Sequence, residues 1–274
     1  MIENRKGASH MMLIDFHTHA FPERIAQRAV AGLAQGSGGL IPQTDGTLTS
    51  LKTEMDTDGV DLSVVLSIAT NAKQQTNVNN FAIEINRDER IVAFGSVHPD
   101  APDALEELER IKEAGLKGVK LHPEYQCFYT DDEKMRPIYR KISELGLITM
   151  LHAGQDIGFG PPYHNLPHHL LGALKWLDAP VVAAHWGGYC CGVDVIDKLC
   201  CEQLWFDTSL GYGVIPKPQA QAIIDKHGPD KLLFASDMPW HRPEWELRLL
   251  NSLGLSEEDK EKIFFRNARK LLNL

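Results

Sequence analysis

The segment L-I-D-F-H-T-H, residues 13–19, joins an apolar run to two histidines at its carboxyl end. Its near-continuous apolar character is typical of a strand that is covered on both faces. Seven similar runs follow, and longer helical patterns separate them. The predicted strands are Leu13–His17, Asp61–Ile68, Ile91–Val97, Lys117–His122, Leu147–His152, Val181–His185, Gln203–Asp207 and Lys231–Asp237.

Eight strands that alternate with helices predict an α/β protein with a closed parallel sheet, the (β/α)8 TIM barrel. Clear helical patterns cover 101–114, 131–145 and 256–272, and the first two end at a glycine. An open doubly wound sheet is the alternative, but no G-x-G-x-x-G follows the first strand. We expect one TIM-barrel domain over residues 12–274, with a loop at 35–50. Residues 1–11 are expected to be a leader, either vector-derived or disordered.

The composition excludes several classes of partner. The formal net charge is -9 and there is no run of lysine or arginine, which argues against binding to nucleic acid or to an anionic membrane. No apolar stretch approaches the roughly 20 residues that span a bilayer. The five cysteines are an odd number, which favours a reducing compartment, the cytoplasm. The oligomeric state is open, and a homo-oligomer is compatible with the sequence.

Four of the cysteines form the doublets Cys190-Cys191 and Cys200-Cys201, on either side of a predicted helix at 193–199. Structural zinc sites use the spacing C-x-x-C, which is absent here. Cysteine is also among the residues most often buried. We therefore expect the doublets to belong to the core.

The strand ends carry the functional signal. They read D-F-H-T-H at strand one, V-K-L-H-P at four, L-H-A-G at five, A-H-W-G-G at six and A-S-D-M-P-W at eight. In TIM barrels the active site lies at the carboxyl ends of the strands. Since side chains two residues apart share a face, we expect His17 and His19 to point inward together. The same rule places Asp15 below His17, Gly118 below Lys120, Ala183 below His185 and Ala235 below Asp237.

Imidazole nitrogens with one carboxylate are the ligand set of a catalytic divalent metal. A single histidine is more often a structural residue, but the conjunction of histidines on strands one, five and six with Asp237 on strand eight predicts a metal site. A metal with an open position lowers the pKa of water and supplies a nucleophile at neutral pH. Zinc suits these ligands, and manganese, cobalt, nickel and iron remain open.

These motifs, together with F-D-T-S (206–209) and R-N-A (266–268), resemble the amidohydrolase superfamily from Asp15 to Asn267. Within it, the chain is similar to the amidohydrolase-related branch that contains aminocarboxymuconate-semialdehyde decarboxylase and several lactone hydrolases. The resemblance implies that His17, His19, His152 and Asp237 bind the metal. It also implies that Asp237 is the general base and that His185 hydrogen-bonds the attacking water or the developing oxyanion.

The resemblance leaves the number of metals open, because Lys120 occupies the position of the carboxylated lysine that bridges two ions in two-metal members. The branch usually binds one metal, so we expect one. If Lys120 is not carboxylated, it is a cation at the barrel mouth that pairs with a substrate carboxylate or with Asp237. Strand four has no glutamate, which disfavours the TatD-type nucleases.

Several side chains on the loops above this centre could contact a substrate. The candidates are Lys120, His122, Tyr125, Tyr163, His164, Trp186, Trp240 and Arg242. Structural roles are the alternative for some: the two tryptophans could pack loops together, and His168 and His169 could cap a helix. Positive charge from Lys120, His122 and Arg242 favours a small anionic substrate.

The first functional hypothesis is a hydrolase in which metal-activated water attacks an ester, lactone or amide. The second is a lyase that removes carbon dioxide from a small unsaturated or aromatic acid. The same ligands serve both reactions, so the sequence does not separate them. A third hypothesis, from another class, is a metal-dependent binding protein without catalysis.

Overall fold

The computed structural model describes residues 11–274, so the predicted leader lies outside the described residues except for Met11. Each of the eight predicted strands contains or overlaps a strand of the structure, and most of the observed strands are shorter than predicted. They are β1 (Ile14–Thr18), β2 (Leu62–Leu66), β3 (Ile91–Phe94), β4 (Gly118–Leu121), β5 (Ile148–Leu151), β6 (Val181–Ala183), β7 (Trp205–Asp207) and β8 (Leu232–Leu233).

Helices connect the strands on the outside. They are α1 (Glu23–Gly36), α2 (Leu48–Asp58), α3 (Gln75–Ile85), α4 (Ala104–Glu113), α5 (Pro123–Gln126), α6 (Arg136–Glu144), α7 (Pro167–Leu174), α8 (Gly192–Lys198), α9 (Lys217–His227), α10 (Pro243–Asn251), α11 (Glu257–Glu261) and α12 (Asn267–Leu272). A π-helical turn, Lys262–Arg266, interrupts the helix predicted at 256–272. The predicted loop at 35–50 holds the end of α1, the connection and the first residues of α2.

The strands close into a barrel in chain order. Hydrogen bonds form two parallel sheets, one with the strand order β1-β2-β3 and the other with the order β4-β5-β6-β7-β8. Between these sheets the Lys120 amide donates to the Gly95 carbonyl at 2.8 Å. At the other seam the Phe16 amide donates to the Phe234 carbonyl, and the Asp237 amide donates to the His17 carbonyl, both at 2.8 Å. The TIM-barrel prediction is confirmed. None of the helices in residues 11–274 is long and apolar enough to cross a membrane.

The strands have two apolar faces, which pack separately. One face contacts the helices, as Val119 and Leu121 of β4 do. The other fills the barrel interior with alternate residues such as Val64, Met150 and Ala235, and residues of α12 join this cluster. Alternation along each strand explains why the runs are apolar throughout. It also places Ala235 inside the barrel two residues before Asp237, as predicted.

Two strands depart from the predicted alternation. In β1 the pairing with β2 shifts by one residue between Asp15 and Thr18, a bulge that lets both Phe16 and His17 lie on the inner side. In β6 the interior residue is Val182, followed by Ala184 just after the strand, whereas Ala183 faces the helices. His185 turns inward because the chain leaves the strand there with φ 58°. The predicted position of Ala183 below His185 was therefore wrong.

The prediction that both cysteine doublets belong to the core was also wrong. Only Cys200 is buried; Cys191 is half-buried, and Cys190 and Cys201 are exposed. The doublets lie where α8 begins and where the turn after it ends, and at each doublet one residue takes a positive φ. The chain turns too sharply there for adjacent side chains to face the core together.

Gly118 lies inside the barrel where a side chain has no room. A Cβ at this position would lie 2.5 Å from the Phe94 ring and 2.6 Å from the Ile148 carbonyl oxygen. Because the carbonyl belongs to a paired strand and cannot move aside, we expect Gly118→Ala to lower the free energy of unfolding by roughly 2 kcal/mol. Gly32, exposed in α1 with nothing within 4 Å of its Cβ position, is the control. Gly32→Ala should raise the free energy by about 0.5–1 kcal/mol.

Denaturant unfolding, followed by circular dichroism, measures both variants. Equal stability of Gly118→Ala and the unsubstituted protein would contradict the tight packing beneath Lys120.

Candidate active site

The carboxyl ends of β1 and β8 bring three predicted ligands together. His17 Nε2 lies 3.2 Å from His19 Nε2, and the Asp237 Oδ1 oxygen lies 3.2 Å from His17 Nε2 and 3.1 Å from His19 Nε2. His17 and Asp237 are buried, and His19 is 13% exposed at its side chain. The three atoms therefore form an almost equilateral triangle at the barrel mouth.

Hydrogen bonds on the outer side fix which nitrogen of each ring carries the proton. His17 Nδ1 donates to Asp207 Oδ2 at 2.8 Å, and His19 Nδ1 donates to the Leu66 carbonyl at 2.8 Å. Both Nε2 atoms therefore present lone pairs to the triangle. Asp237 Oδ1 is buried and has no hydrogen-bond partner among residues 11–274. Three acceptors that face one another repel unless a cation lies between them.

The size of the triangle fits a divalent metal. Metal–ligand bonds of about 2.1 Å at angles between octahedral and tetrahedral separate neighbouring ligand atoms by about 3.0–3.4 Å. The observed separations of 3.1–3.2 Å lie within this range. The residues present thus fit one metal with three protein ligands on one side, which leaves positions for water or substrate.

His152 and His185 form a separate pair beside the triangle. His185 Nδ1 donates to Ser209 Oγ at 2.8 Å, and Ser209 in turn donates to Asp207 Oδ1 at 2.5 Å. His152 Nε2 donates to the Gln155 carbonyl at 3.1 Å. The inner nitrogens, His152 Nδ1 and His185 Nε2, then face each other at 3.1 Å with lone pairs. In this structure the inner nitrogen of His152 therefore faces His185 and does not join the triangle.

Lys120 supplies positive charge to the centre. It is fully buried, and its Nζ lies 3.5 Å from His17 Nε2. Burial lowers the pKa of Lys120 to about 8, although the carboxylates of Asp207, Asp237 and Asp156 act in the opposite direction. Near neutral pH a fraction of such a lysine is an uncharged amine, the form that carboxylation requires. The geometry is compatible with either role predicted for Lys120.

Burial also keeps the central imidazoles neutral. Desolvation is the largest cause that holds the pKa values of His17, His122 and His185 well below 6.5, and neighbouring positive charge adds to it. Neutral imidazole is the form that binds metal. Desolvation acts to raise the pKa of Asp237, but the positive charge of its surroundings, Lys120 included, outweighs desolvation and lowers the pKa, so Asp237 stays ionised.

Asp207 and Asp156 are two residues of the centre that sequence reasoning missed. Besides the bonds from His17 and Ser209, Asp207 Oδ1 accepts from the His185 amide at 2.9 Å. Asp207 ends β7, so the strand-end rule that selected the other residues could have found it. Asp156 follows β5, and its Oδ2 lies 3.5 Å from the Nε2 atoms of both His122 and His152. It lies on a loop, for which the sequence gives no such rule.

The predicted substrate contacts fall into two groups. His122 stacks on His152 with ring centroids 4.2 Å apart, and Tyr125 packs edge-on against His122 at 4.5 Å, so these two lie at the centre. His164 pairs with the buried Glu124. Arg242 is committed to α2, where its Nη2 lies 2.8 Å from Glu54 and 3.2 Å from Asp58.

The remaining candidates have less defined surroundings. Trp186 is buried, and its Nε1 has no partner within the described part of the chain. The Trp240 amide donates to the Asp237 carbonyl at 2.8 Å, which ties it to the metal side of the mouth. Tyr163 is half-buried on the loop after β5.

Comparison with known proteins assigns the chain to a family. The sequence profile of the amidohydrolase family matches residues 14–274. The chain belongs to this family. This family membership agrees with both the strand-end motifs of the sequence and the observed barrel. Among curated protein sequences, none matches the chain.

Solved structures share the fold at low sequence identity. One is 5-carboxyvanillate decarboxylase from Sphingomonas paucimobilis, with 15% identity, a TM-score of 0.72, and coverage of 96% of this chain and 99% of that one. Another is a dihydroxybenzoic acid decarboxylase from Polaromonas with bound manganese and 2-nitroresorcinol (17% identity, TM-score 0.70, coverage 96% and 97%). A third, from Pseudomonas putida, carries the assignment 2-pyrone-4,6-dicarboxylic acid hydrolase (16%, 0.67, 96% and 98%).

We expect Asp207→Asn to weaken metal binding about 10–100-fold. An amide nitrogen facing His17 Nδ1 would donate to it, which moves the ring proton to Nε2 and blocks that ligand. Competition with a chelator measures the affinity, and elemental analysis of the unsubstituted protein should give one equivalent. The control is Asp178→Asn, the same change at an exposed site. Unchanged affinity in Asp207→Asn would show that Asp207 does not set the His17 tautomer.

We expect the metal-free protein to lose stability on acidification. Below pH 6.5, His17, His122 and His185 bind protons in the unfolded chain but not in the folded protein, where their pKa values are much lower. Asp15 opposes them, because burial raises its pKa from 3.8 to about 7 and its folded form takes up a proton first. Three groups outweigh one, so the free energy of unfolding should fall on the order of 2 kcal/mol between about pH 7.5 and 5.5.

Denaturant titration at the two pH values measures this loss. Asp15→Asn, which lacks the opposing group, should show a steeper fall. Stability that stays level or rises towards pH 5.5 would contradict the burial of neutral imidazoles.

Proposed function

We propose that this protein is a metal-dependent hydrolase that acts on an ester, lactone or amide of a small carboxylated molecule. The observation that carries the proposal is the triangle of unprotonated acceptors on His17, His19 and Asp237, with the buried Lys120 beside it. We further propose His152 as a fourth ligand, which requires its Nδ1 to turn from His185 to the metal. Zinc remains the expected ion, and the manganese in the Polaromonas enzyme supports the alternative.

The carboxylated substrate follows from charge and shape at the mouth. Lys120 provides the cation, and the stacked rings of His122 and His152 provide a flat wall with Nε2–H groups at its edge. His122 accepts the Tyr125 amide at Nδ1, so its proton is on Nε2. Flat carboxylated rings are also what the named structural relatives act on, which supports the same class here. Arg242, which is paired with α2, contributes less than the sequence predicted.

Hydrolysis assigns a distinct task to each residue. A divalent cation in the triangle would lower the pKa of water and polarise the scissile carbonyl. The Asp237 carboxylate, beside that position, accepts one proton of the attacking water as the water oxygen bonds to the carbonyl carbon, and returns that proton to the leaving oxygen or nitrogen as its bond to this carbon breaks. His185 orients the same water, because its Nε2 is a lone pair and accepts a hydrogen. Its tautomer excludes donation to an oxyanion unless the ring first takes a proton.

Decarboxylation of an aromatic or unsaturated acid is the second candidate. It is favoured by the flat wall of His122 and His152 and by the two decarboxylases among the relatives described above. The metal and Lys120 would then hold the departing carboxylate and a neighbouring oxygen, and a proton must reach the ring carbon.

The five unpaired cysteines support the prediction of a reducing compartment such as the cytoplasm for either reaction.

The proposal is tested with aromatic and unsaturated acids and with their esters, amides and lactones, with products identified by mass spectrometry. A gain of water identifies hydrolysis, and a loss of carbon dioxide identifies decarboxylation. Asp237→Asn should lower turnover about a thousandfold or more, because it removes both the base and a ligand. Asp197→Asn, an exposed change on α8, should leave turnover unaltered.

Turnover at the original rate in a folded Asp237→Asn protein would contradict catalysis at this centre. If instead neither protein forms product from any acid, ester, amide or lactone, while the unsubstituted protein binds metal, the third hypothesis, a metal-dependent binding protein, is favoured.

A further inference from the structure

A loop after β5 crosses the barrel mouth and is fastened to the rest of the described chain near its two ends, where the Gln155 amide donates to the Tyr189 carbonyl and His164 pairs with Glu124. We name residues 155–164 the mouth loop. At its base, the Gly154 amide donates to the Asn165 carbonyl at 2.8 Å, and Asn165 Nδ2 donates to the His152 carbonyl at 2.6 Å. Gly154 takes φ 88°, and a Cβ there would collide with the Tyr189 backbone. The base is therefore a fixed point from which the rest of the loop extends.

The body of the mouth loop lies over the mouth with little to hold it. Ile157 and Phe159 are large apolar residues left 41% and 37% exposed. The Phe159 ring contacts Tyr125 edge-on, at 5.1 Å between centroids, and Gly158 approaches the end of α1. These weak contacts are typical of a segment that opens at low cost.

One side chain of the mouth loop points down into the centre. Asp156 is 11% exposed at its side chain, and its Oδ2 lies 3.5 Å from both His122 Nε2 and His152 Nε2. Its Oδ1 accepts the Gly158 amide at 2.7 Å, a bond within the loop itself. No described residue of the barrel makes a hydrogen bond to this carboxylate. The carboxylate is held by its charge and by the N–H dipoles of His122 and His152. It would therefore move with the loop.

The geometry around Asp156 does not suit a metal. The rings of His122 and His152 are stacked nearly parallel, with 13° between their planes. Lone pairs lie in the ring planes, so two stacked rings direct them along parallel lines that do not meet. Both Nε2 atoms also carry protons, since His122 Nδ1 accepts the Tyr125 amide and His152 Nε2 donates to the Gln155 carbonyl. The His122 N–H faces the Asp156 carboxylate, and the His152 N–H is shared between the Gln155 carbonyl at 3.1 Å and Asp156 at 3.5 Å. These N–H groups form a site for a carboxylate.

We propose that Asp156 occupies the substrate's own carboxylate position in the ligand-free protein, and that the substrate displaces it together with the mouth loop. The position is bordered by His122 and His152, and the positive charge of the buried Lys120 acts on it. This inference rests on the proposed function, since it takes the substrate to be carboxylated. Two carboxylates cannot share the position without strong repulsion, so binding of the anion opens the loop and a neutral analogue leaves it closed.

Asp156→Asn tests the first half of the proposal without any substrate. The change keeps the side chain's shape and removes its charge, so the mouth loop should lose its attraction to the centre. Hydrogen exchange of the metal-loaded protein, followed by mass spectrometry, should show several-fold faster exchange in peptides that cover 155–164. Asp178→Asn, which makes the same charge change on the exposed surface, should not alter exchange there. Equal exchange in the Asp156→Asn and unsubstituted proteins would overturn the proposal.

Benzoate and its neutral isostere benzamide test the second half by calorimetric titration of the metal-loaded protein. Asp156→Asn should tighten benzoate about tenfold, because the competing charge is gone, and change benzamide less than about twofold. In the unsubstituted protein benzoate should speed exchange of the mouth loop, whereas benzamide should not. Weaker or unchanged benzoate affinity in Asp156→Asn would overturn the displacement.

The two proposals fail in different ways. If benzoate binds equally to both proteins and the mouth loop does not respond, the displacement is wrong while a carboxylated substrate stands. If the loop is released by Asp156→Asn but neither protein binds benzoate or the carboxylates of the substrate panel, the displacement falls together with the proposed substrate class.

Discussion

The chemistry of this barrel depends on hydrogen bonds that run outward from four central imidazoles. Each ring gives its one proton to an acceptor on the far side, namely Asp207, the Leu66 carbonyl, the Gln155 carbonyl and Ser209. The inner nitrogens are left as lone pairs, and burial keeps the rings of His17 and His185 neutral by lowering their pKa values. Lone pairs that face one carboxylate oxygen without a hydrogen-bond partner repel one another when no cation is present. The same arrangement is complementary to a bound cation.

Asp207 connects this proton arrangement to the fold. Its two oxygens accept from His17 of β1, from the His185 backbone after β6, and from Ser209 after its own strand. β6 and β7 are paired neighbours within one sheet, whereas β1 comes within reach of β7 only through barrel closure, across β8. The same carboxylate therefore sets the His185 tautomer locally, through Ser209, and the His17 tautomer only when the barrel is closed. Closure of the barrel is in this way a condition for the His17 lone pair to face the metal position.

The sequence was sufficient for the parts that follow from periodicity. Eight apolar runs gave the barrel, and the alternation rule placed Gly118 below Lys120 and Ala235 below Asp237. The rule failed where the backbone leaves ideal strand geometry, at the β1 bulge and at His185, because neither is encoded by hydrophobicity. It also missed Asp156, since a loop's path over the mouth depends on tertiary contacts. The surroundings of Arg242 depended on α2, which the sequence did not place near it.

The same departures from ideal geometry aim the functional groups. His185 and Asp237 both take positive φ values, 58° and 71°, a conformation that costs a non-glycine residue about 1–3 kcal/mol. A hydrogen bond from the backbone amide holds each residue in this conformation. The His185 amide donates to Asp207 Oδ1, and the Asp237 amide donates to the His17 carbonyl. These bonds belong to the barrel and need no metal to form. The backbone positions of the ligand Asp237 and of the water-orienting His185 are thus set before a cation arrives, and the strain at these two residues is balanced by closure of the strands beneath them.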